Sequence, residues 1–208
     1  MFLTFEGPDG SGKTTQVAPL AEFLTQLGYQ VLITREPGGT AIGDQIRQVL
    51  SDLKNTDMHP RSETLLFLAA RVQLVEEVIK PHLEDGYIVL CDRYADSTMA
   101  YQGYGHQNDL TQIRSLINFA TGGLKPDLTL LLDVGAEAGL KRKAEGTEWN
   151  RLDAYSLEFH QRVRQGYAAL AQAEPERWVV IDADQPAEKV QERIRQVVLS
   201  HLPVIDKP

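Results

Sequence analysis

Gly7-Pro8-Asp9-Gly10-Ser11-Gly12-Lys13-Thr14 sets two glycines, a lysine and a hydroxyl at the spacing G-x-x-x-x-G-K-[ST]. The chemistry that spacing serves is the grip of ATP or GTP. Glycine lets the backbone wrap phosphates that bulky side chains would hold off, so N–H groups from Gly10 to Lys13 can point into one concavity. A helix opening there adds positive potential, Lys13 reaches the outer phosphates, and the Thr14 hydroxyl can ligate Mg²⁺, with Thr15 continuing the cradle. The bland reading of the same residues is a glycine-rich turn joining strand to helix.

Two further groupings could do chemistry beside it. Asp92 closes the apolar run Tyr87-Ile88-Val89-Leu90-Cys91, and a carboxylate at a strand's carboxyl end can support Mg²⁺ directly or through water. It could instead cap the next turn. Arg93, beside it, carries a planar fork suited to clamping phosphate. Phe67 and Arg71 stand four residues apart, so a helix turns both to one side, away from a Leu68 and Val72 stripe expected to meet the core. A ring and a guanidinium facing a cleft can stack on a base and bond its edge, or simply pack.

These groups need elements to position them. Phe2 to Phe5, Val31 to Ile33, Tyr87 to Leu90, Leu128 to Leu132 and Trp178 to Ile181 are short, continuous apolar runs that read as fully buried strands. Between them apolar residues recur at helical spacing from Val17 to Leu27, Ile42 to Leu53, Leu65 to Ile79, Phe159 to Leu170 and Val190 to Val197. The alternation predicts one α/β domain over 1–208, a five-stranded parallel sheet with helices on both faces and ligands at the strands' carboxyl ends. Pro19 is expected to kink its helix. The polar stretch from Lys141 to Asp153 lacks a sustained period and suits a mobile lid. Its Lys141, Arg142 and Lys143 could cover phosphates, or complement the C-terminal dipole of a helix starting near Ala136.

Composition excludes several classes. Hydrophobic content of 42% with 24% charged residues is that of a globular chain, and no apolar run suits a membrane span. A net charge of −8 argues against nucleic acid as a partner and requires local cations, Lys13 and nearby arginines, to attract a polyphosphate. Cys91 stands alone, so a disulfide framework is excluded. With the first strand starting almost at once, no secretory signal is expected, and the predicted location is cytoplasmic.

Phe67-Leu68-Ala69-Ala70-Arg71, Asp92-Arg93-Tyr94, Ser97-Thr98-Met99-Ala100-Tyr101-Gln102, Pro126-Asp127-Leu128, Arg151 and the Phe159-His160 to Gly166-Tyr167 segment together resemble the thymidylate kinase family, in order and over nearly the whole chain. The resemblance implies a P-loop nucleoside monophosphate kinase fold and Mg²⁺-dependent phosphoryl transfer from ATP to dTMP, giving ADP and dTDP. It implies an acceptor region over about 36–105 in which Phe67 stacks on thymine and Arg71 donates to its O4. Ser97, Thr98 and Gln102 would line the base pocket, Tyr101 would crowd the sugar's 2′ side, and Asp9 would meet the 3′-hydroxyl. Arg93, Glu36 and Arg47 would address the acceptor phosphate end. Gly10 stands where some members carry a loop arginine, so the chain resembles the members with a lid-borne one. Arg151 is then expected to cover the transferred group, seconded by Arg142 or Lys143. Members are commonly homodimers. The alternatives are a kinase of another nucleoside or nucleotide, and a nucleotide-hydrolysing switch or binding module.

Overall fold

Each predicted apolar run becomes a strand: β1 (Phe2–Glu6), β2 (Val31–Arg35), β3 (Ile88–Asp92), β4 (Leu128–Asp133) and β5 (Trp178–Asp182). The structure is a computed structural model describing residues 1–146 and 149–202. Thr147 and Glu148, within the expected lid, and the chain from Pro203 to Pro208 lie outside the described residues. The strands pair in parallel in the order β2-β3-β1-β4-β5. Phe5 stands opposite Asp92 and the Arg93 N–H donates to the Phe5 carbonyl at 2.9 Å, so the loops after β1 and β3 leave the sheet side by side.

The two outer strands differ from expectation. β2 and β5 have a neighbour on one side only, and Ile33 and Val180 are exposed, whereas the three central strands are nearly all buried. A continuous apolar run cannot tell an edge from a centre.

Helices cover both faces. α1 (Lys13–Gln26) and α9 (Ala187–Leu199) pack on Leu3, Phe5, Leu128, Leu130 and Leu132. Pro19 sits inside a continuous α1 rather than ending it. Side chains alternate along a strand, so Phe2, Thr4 and Glu6 point to the opposite face. There lie α3 (Pro60–Leu74), a π-helical stretch Val75–Ile79, α4 (Lys80–Glu84) and, further across, α8 (Leu157–Ala173).

The remaining helices are α2 (Ala41–Ser51), α5 (Ala95–Thr98), α6 (Leu110–Thr121) and α7 (Ala136–Ala144). A second π-helical stretch, Met99–Gly105, follows α5 and carries Tyr101 and Gln102. Within the described part of the expected lid, residues 141–144 finish α7, and Arg151–Ala154 form a 3₁₀ turn capped reciprocally by Asn150 and Asp153.

Candidate active site

A cleft of about 330 Å³ opens at the carboxyl ends of β1 and β3. Asp9, Gly10, Gly12, Lys13, Thr14 and Thr15 form one wall; Phe67, Thr98, Tyr101 and Gln102 are among those forming the other. Arg93, Glu36, Arg47, Asp92, Ser97 and Lys143 also line it. Gly7, Pro8 and Ser11 are not on its surface; they are the buried floor of the loop.

Among the described residues the Ser11 N–H donates to the Pro8 carbonyl at 3.3 Å, and no side chain caps the amides that open α1. α1 begins after Gly12, whose φ of 84° is left-handed, with no side-chain cap and no acidic residue in its first turn. The longer helices α2, α6 and α8 are each capped by Thr40, Asp109 and Ser156. The bare N–H groups and positive end of α1 are therefore left for an anion.

Lys13 is buried, its Nζ donating to the carbonyls of Gly7 at 3.1 Å and Pro8 at 2.9 Å and to Ser11 Oγ at 3.1 Å. Burial, with the nearby Arg93 charge, pulls its pKa down to about 8. Thr14 Oγ1 donates to Asp92 Oδ2 at 2.6 Å, joining the ends of the two loops. These two oxygens fit a small divalent cation whose other ligands are phosphate oxygens and water. Among the described residues no three His, Cys, Asp or Glu side chains converge into a cage.

Arg93 links the two walls. Its backbone φ is 70°, a left-handed conformation that turns the side chain back over the loop. Nη2 donates to Asp9 Oδ1 at 2.6 Å and Tyr101 Oη at 3.1 Å, while Nη1 donates to the Gly7 carbonyl at 3.1 Å, Ser97 Oγ at 3.1 Å and Tyr167 Oη at 3.0 Å. Tyr101 Oη donates to Asp9 Oδ2 at 2.6 Å. Burial would raise Asp9, but Arg93, Lys13 and the Tyr101 hydroxyl outweigh it and hold the carboxyl near about 2.

Glu6, which sequence reasoning passed over, is fully buried beneath this group. Ser97 Oγ and Tyr167 Oη donate to its Oε2 at 2.6 and 3.0 Å, and the Tyr94 N–H donates to Oε1 at 2.8 Å. Burial, reinforced by Asp96, pushes it up to about 7. Ser97 therefore spends its proton on Glu6 and its lone pair on Arg93, and supports the arginine more than it addresses a base. A charged residue ending an otherwise apolar β1 was the available signal.

On the acceptor side Phe67 is half-buried in the wall. Arg71 lies behind it, buried, and is absent from the cleft surface. Its Nε bridges both Glu36 oxygens at 3.1 and 2.9 Å, Nη2 bonds Glu36 again and the Tyr94 carbonyl at 3.0 Å, and Nη1 donates to Thr98 Oγ1 at 2.9 Å. Arg71 is therefore not set on the cleft surface for the expected direct bond to thymine O4 and reaches the cleft through Thr98, while Glu36 is engaged with Arg71 rather than left for a phosphate. Arg47 Nη1 donates to the Pro37 carbonyl at 2.9 Å at the cleft rim.

The lid residues correct an expectation. Arg151 does not face the phosphate loop: it is buried, with Nε on the Leu50 carbonyl at 2.9 Å, Nη1 on Tyr155 Oη at 2.8 Å and Nη2 on Glu63 Oε2 at 2.6 Å. A carboxylate from α3 captured it, a partner no local spacing discloses. Arg142 turns the other way, to the Ala183 carbonyl at 2.9 Å and Asp184 Oδ1 at 2.6 Å, beside the loop before α9. Lys143 is the lid cation on the cleft surface.

A parallel five-stranded sheet with an uncapped glycine loop at its carboxyl edge, and a separate acceptor wall facing it, defines a P-loop kinase of the nucleoside monophosphate class. The thymidylate kinase family model matches residues 5–194, and the chain belongs to that family. It is 55% identical to a thymidylate kinase of Roseiflexus castenholzii, with 97% of this chain and 94% of that one covered. A thymidylate kinase of Roseiflexus sp. is 53% identical, at 100% and 97% coverage. The crystal structure of thymidylate kinase from Ehrlichia chaffeensis superposes with a TM-score of 0.78 at 37% identity, covering 95% of this chain and 98% of that one.

Proposed function

We propose that this chain transfers the γ-phosphoryl group of ATP to dTMP, giving ADP and dTDP for DNA precursor synthesis. The observation that carries the reading is Arg93: one guanidinium reaches both the phosphate loop, at Gly7 and Asp9, and the acceptor wall, at Tyr101, where donor and acceptor phosphates would meet.

The triphosphate lies on the amides of Gly10 to Lys13, and Lys13 swings from the loop carbonyls to the outer phosphates. Thr14 and Asp92 would hold Mg²⁺, which would neutralise charge on the transferred group. Phe67 stacks on thymine, Arg71 acts with Thr98 at O4, and Tyr101 crowds the sugar's 2′ side, with Asp9 at the 3′-hydroxyl. Arg93 and Arg47 take the acceptor phosphate, and Lys143 covers the transferred group. The acceptor phosphate is itself the nucleophile, so alignment and charge neutralisation carry the reaction without a dedicated base.

The single domain divides into this acceptor region, about 36–105, and a lid, about 141–153. Ile42 and Val49 on α2, Leu65 and Val72 on α3, and Leu116 and Phe119 on α6 are exposed along neighbouring helices, Phe119 by 83%, and this apolar face supports a homodimer. Among the described residues no helix is long and apolar enough to cross a membrane. With a lone, buried Cys91, a cytoplasmic location is the proposal.

Incubating the protein with Mg·ATP and dTMP, dUMP, dCMP, AMP or GMP tests the activity. ADP release that requires dTMP supports it. Turnover of AMP without dTMP would sink it, and acceptor-independent hydrolysis would favour a switch.

A further inference from the structure

Glu63 has no part in the chemistry above, yet its fully buried carboxylate gathers donors from two other stretches of chain. Oε1 accepts from Gln102 Nε2 at 2.9 Å and His106 Nε2 at 3.0 Å. Oε2 accepts from Arg151 Nη2 at 2.6 Å and Tyr155 Oη at 2.7 Å. On α3 it stands one turn before Phe67 and two before Arg71, so all three share a face.

We propose that Glu63 is a positioning residue for base selection: it locks the Gln102 amide with its nitrogen inward and its carbonyl oxygen toward the pyrimidine. The inference rests on the dTMP reading. An ionised carboxylate only accepts hydrogen bonds, so the amide nitrogen must face it; the reverse orientation would set two acceptors against each other. Gln102 lines the cleft, and among the described residues its side-chain oxygen takes no hydrogen bond, leaving that oxygen for the ligand. Nearby, Thr98 Oγ1 accepts from Arg71 and keeps its own proton to give.

A donor at Thr98 beside an acceptor at Gln102 complements the O4 and N3–H of thymine. Cytosine offers an amino group and a bare ring nitrogen, so donor would meet donor and acceptor would meet acceptor. A desolvated site penalises such unpaired groups heavily. Burial raises the Glu63 carboxyl, but hydrogen bonds from His106, Gln102 and Tyr155 outweigh it and hold it near about 2, so the lock persists through the neutral range. Glu63 thus selects a base it does not touch.

The same carboxylate anchors Arg151 and Tyr155, so the test must separate selection from anchoring. KM for dTMP and the inhibition constant of dCMP are measured on the unsubstituted chain, on Glu63→Gln and on Tyr155→Phe. A neutral amide at position 63 can donate to the Gln102 oxygen and so frees the amide to turn. The preference for dTMP over dCMP should then fall at least about tenfold, with KM for ATP unchanged. Tyr155→Phe removes only lid-side hydrogen bonds, the one to Glu63 and the one from Arg151, and should keep the preference. An unchanged preference in folded Glu63→Gln overturns the proposal, as does an equal loss in Tyr155→Phe. Failure of the unsubstituted chain to use dTMP would reject the kinase reading instead. If Glu63→Gln does not fold, side-chain NMR of the unsubstituted chain decides: Gln102 amide protons should resist exchange before dTMP is added, and free exchange would overturn the lock.

Discussion

The backbones of Gly10 and Gly139 approach so closely that neither has room for a side chain. A Cβ built on Gly10 would lie 1.9 Å from the Gly139 carbonyl oxygen, and one built on Gly139 would lie 2.3 Å from that of Asp9. The phosphate loop is therefore packed directly against α7, the helix that leads into the lid. A side chain at position 10, arginine included, is excluded here by sterics, and on the proposed reading the lid supplies the additional cation.

Gly10→Ala should accordingly be severe. The residue has a φ of 74°, so a side chain adds backbone strain to the collision. A loss of at least about 2 kcal/mol of stability, or displacement of α7 with loss of ATP binding, is expected. Denaturant unfolding and ATP titration would show it; a variant with ordinary stability and affinity would contradict the packing.

Lys143→Ala and Arg151→Ala should fail in different ways. Lys143 lines the cleft, so its loss should lower kcat about 10²-fold with little change in melting temperature. Arg151→Ala takes the guanidinium partner from the buried Glu63 carboxylate, which keeps Gln102, His106 and Tyr155, and should cost about 3 kcal/mol of stability. A stable Arg151→Ala with kcat alone abolished would return the arginine to the transferred phosphate.

Lys13 should impose a pH dependence on ATP capture. With its pKa near about 8, the uncombined enzyme loses this charge as pH rises through that value. Bound polyphosphate favours the charged form, so KM for ATP should climb above pH about 8 while kcat at saturating ATP holds to higher pH. Rates from pH 6 to 9.5 would check this, and a flat KM would count against it.

Glu6 should make the protein less stable as pH rises. Its folded pKa, about 7, exceeds the usual 4.5, so the folded state binds the proton more tightly. That contribution is present below about 4.5 and lost as pH rises toward about 7, by at most roughly 3 kcal/mol. Asp9 and Glu63 act oppositely: held near about 2, they stabilise above the unfolded range and lose that effect as pH falls toward about 2. Urea unfolding of Glu6→Gln between pH 5 and 8 should show a flatter profile than the unsubstituted chain.

The phosphate loop, the order of the five strands in the chain and the main helices were legible because each depends on neighbours in sequence. Gly7 to Thr15 is one turn with its flanks, and the strand runs are contiguous. α6 was missed although Asp109 and Gly122 bracket it, because Leu116 and Phe119 face outward and blur its period.

What the sequence by itself determined is the local chemistry: a glycine cradle, a lysine, a hydroxyl, and a ring and guanidinium four residues apart. Only the tertiary structure decided which groups serve it. Glu6 reaches Ser97 across 91 positions and Glu63 reaches Arg151 across 88, and these buried carboxylates fix where Arg93 and Arg151 point. A carboxylate removed from water takes whichever donors packing brings within about 3 Å, and no spacing rule encodes that choice.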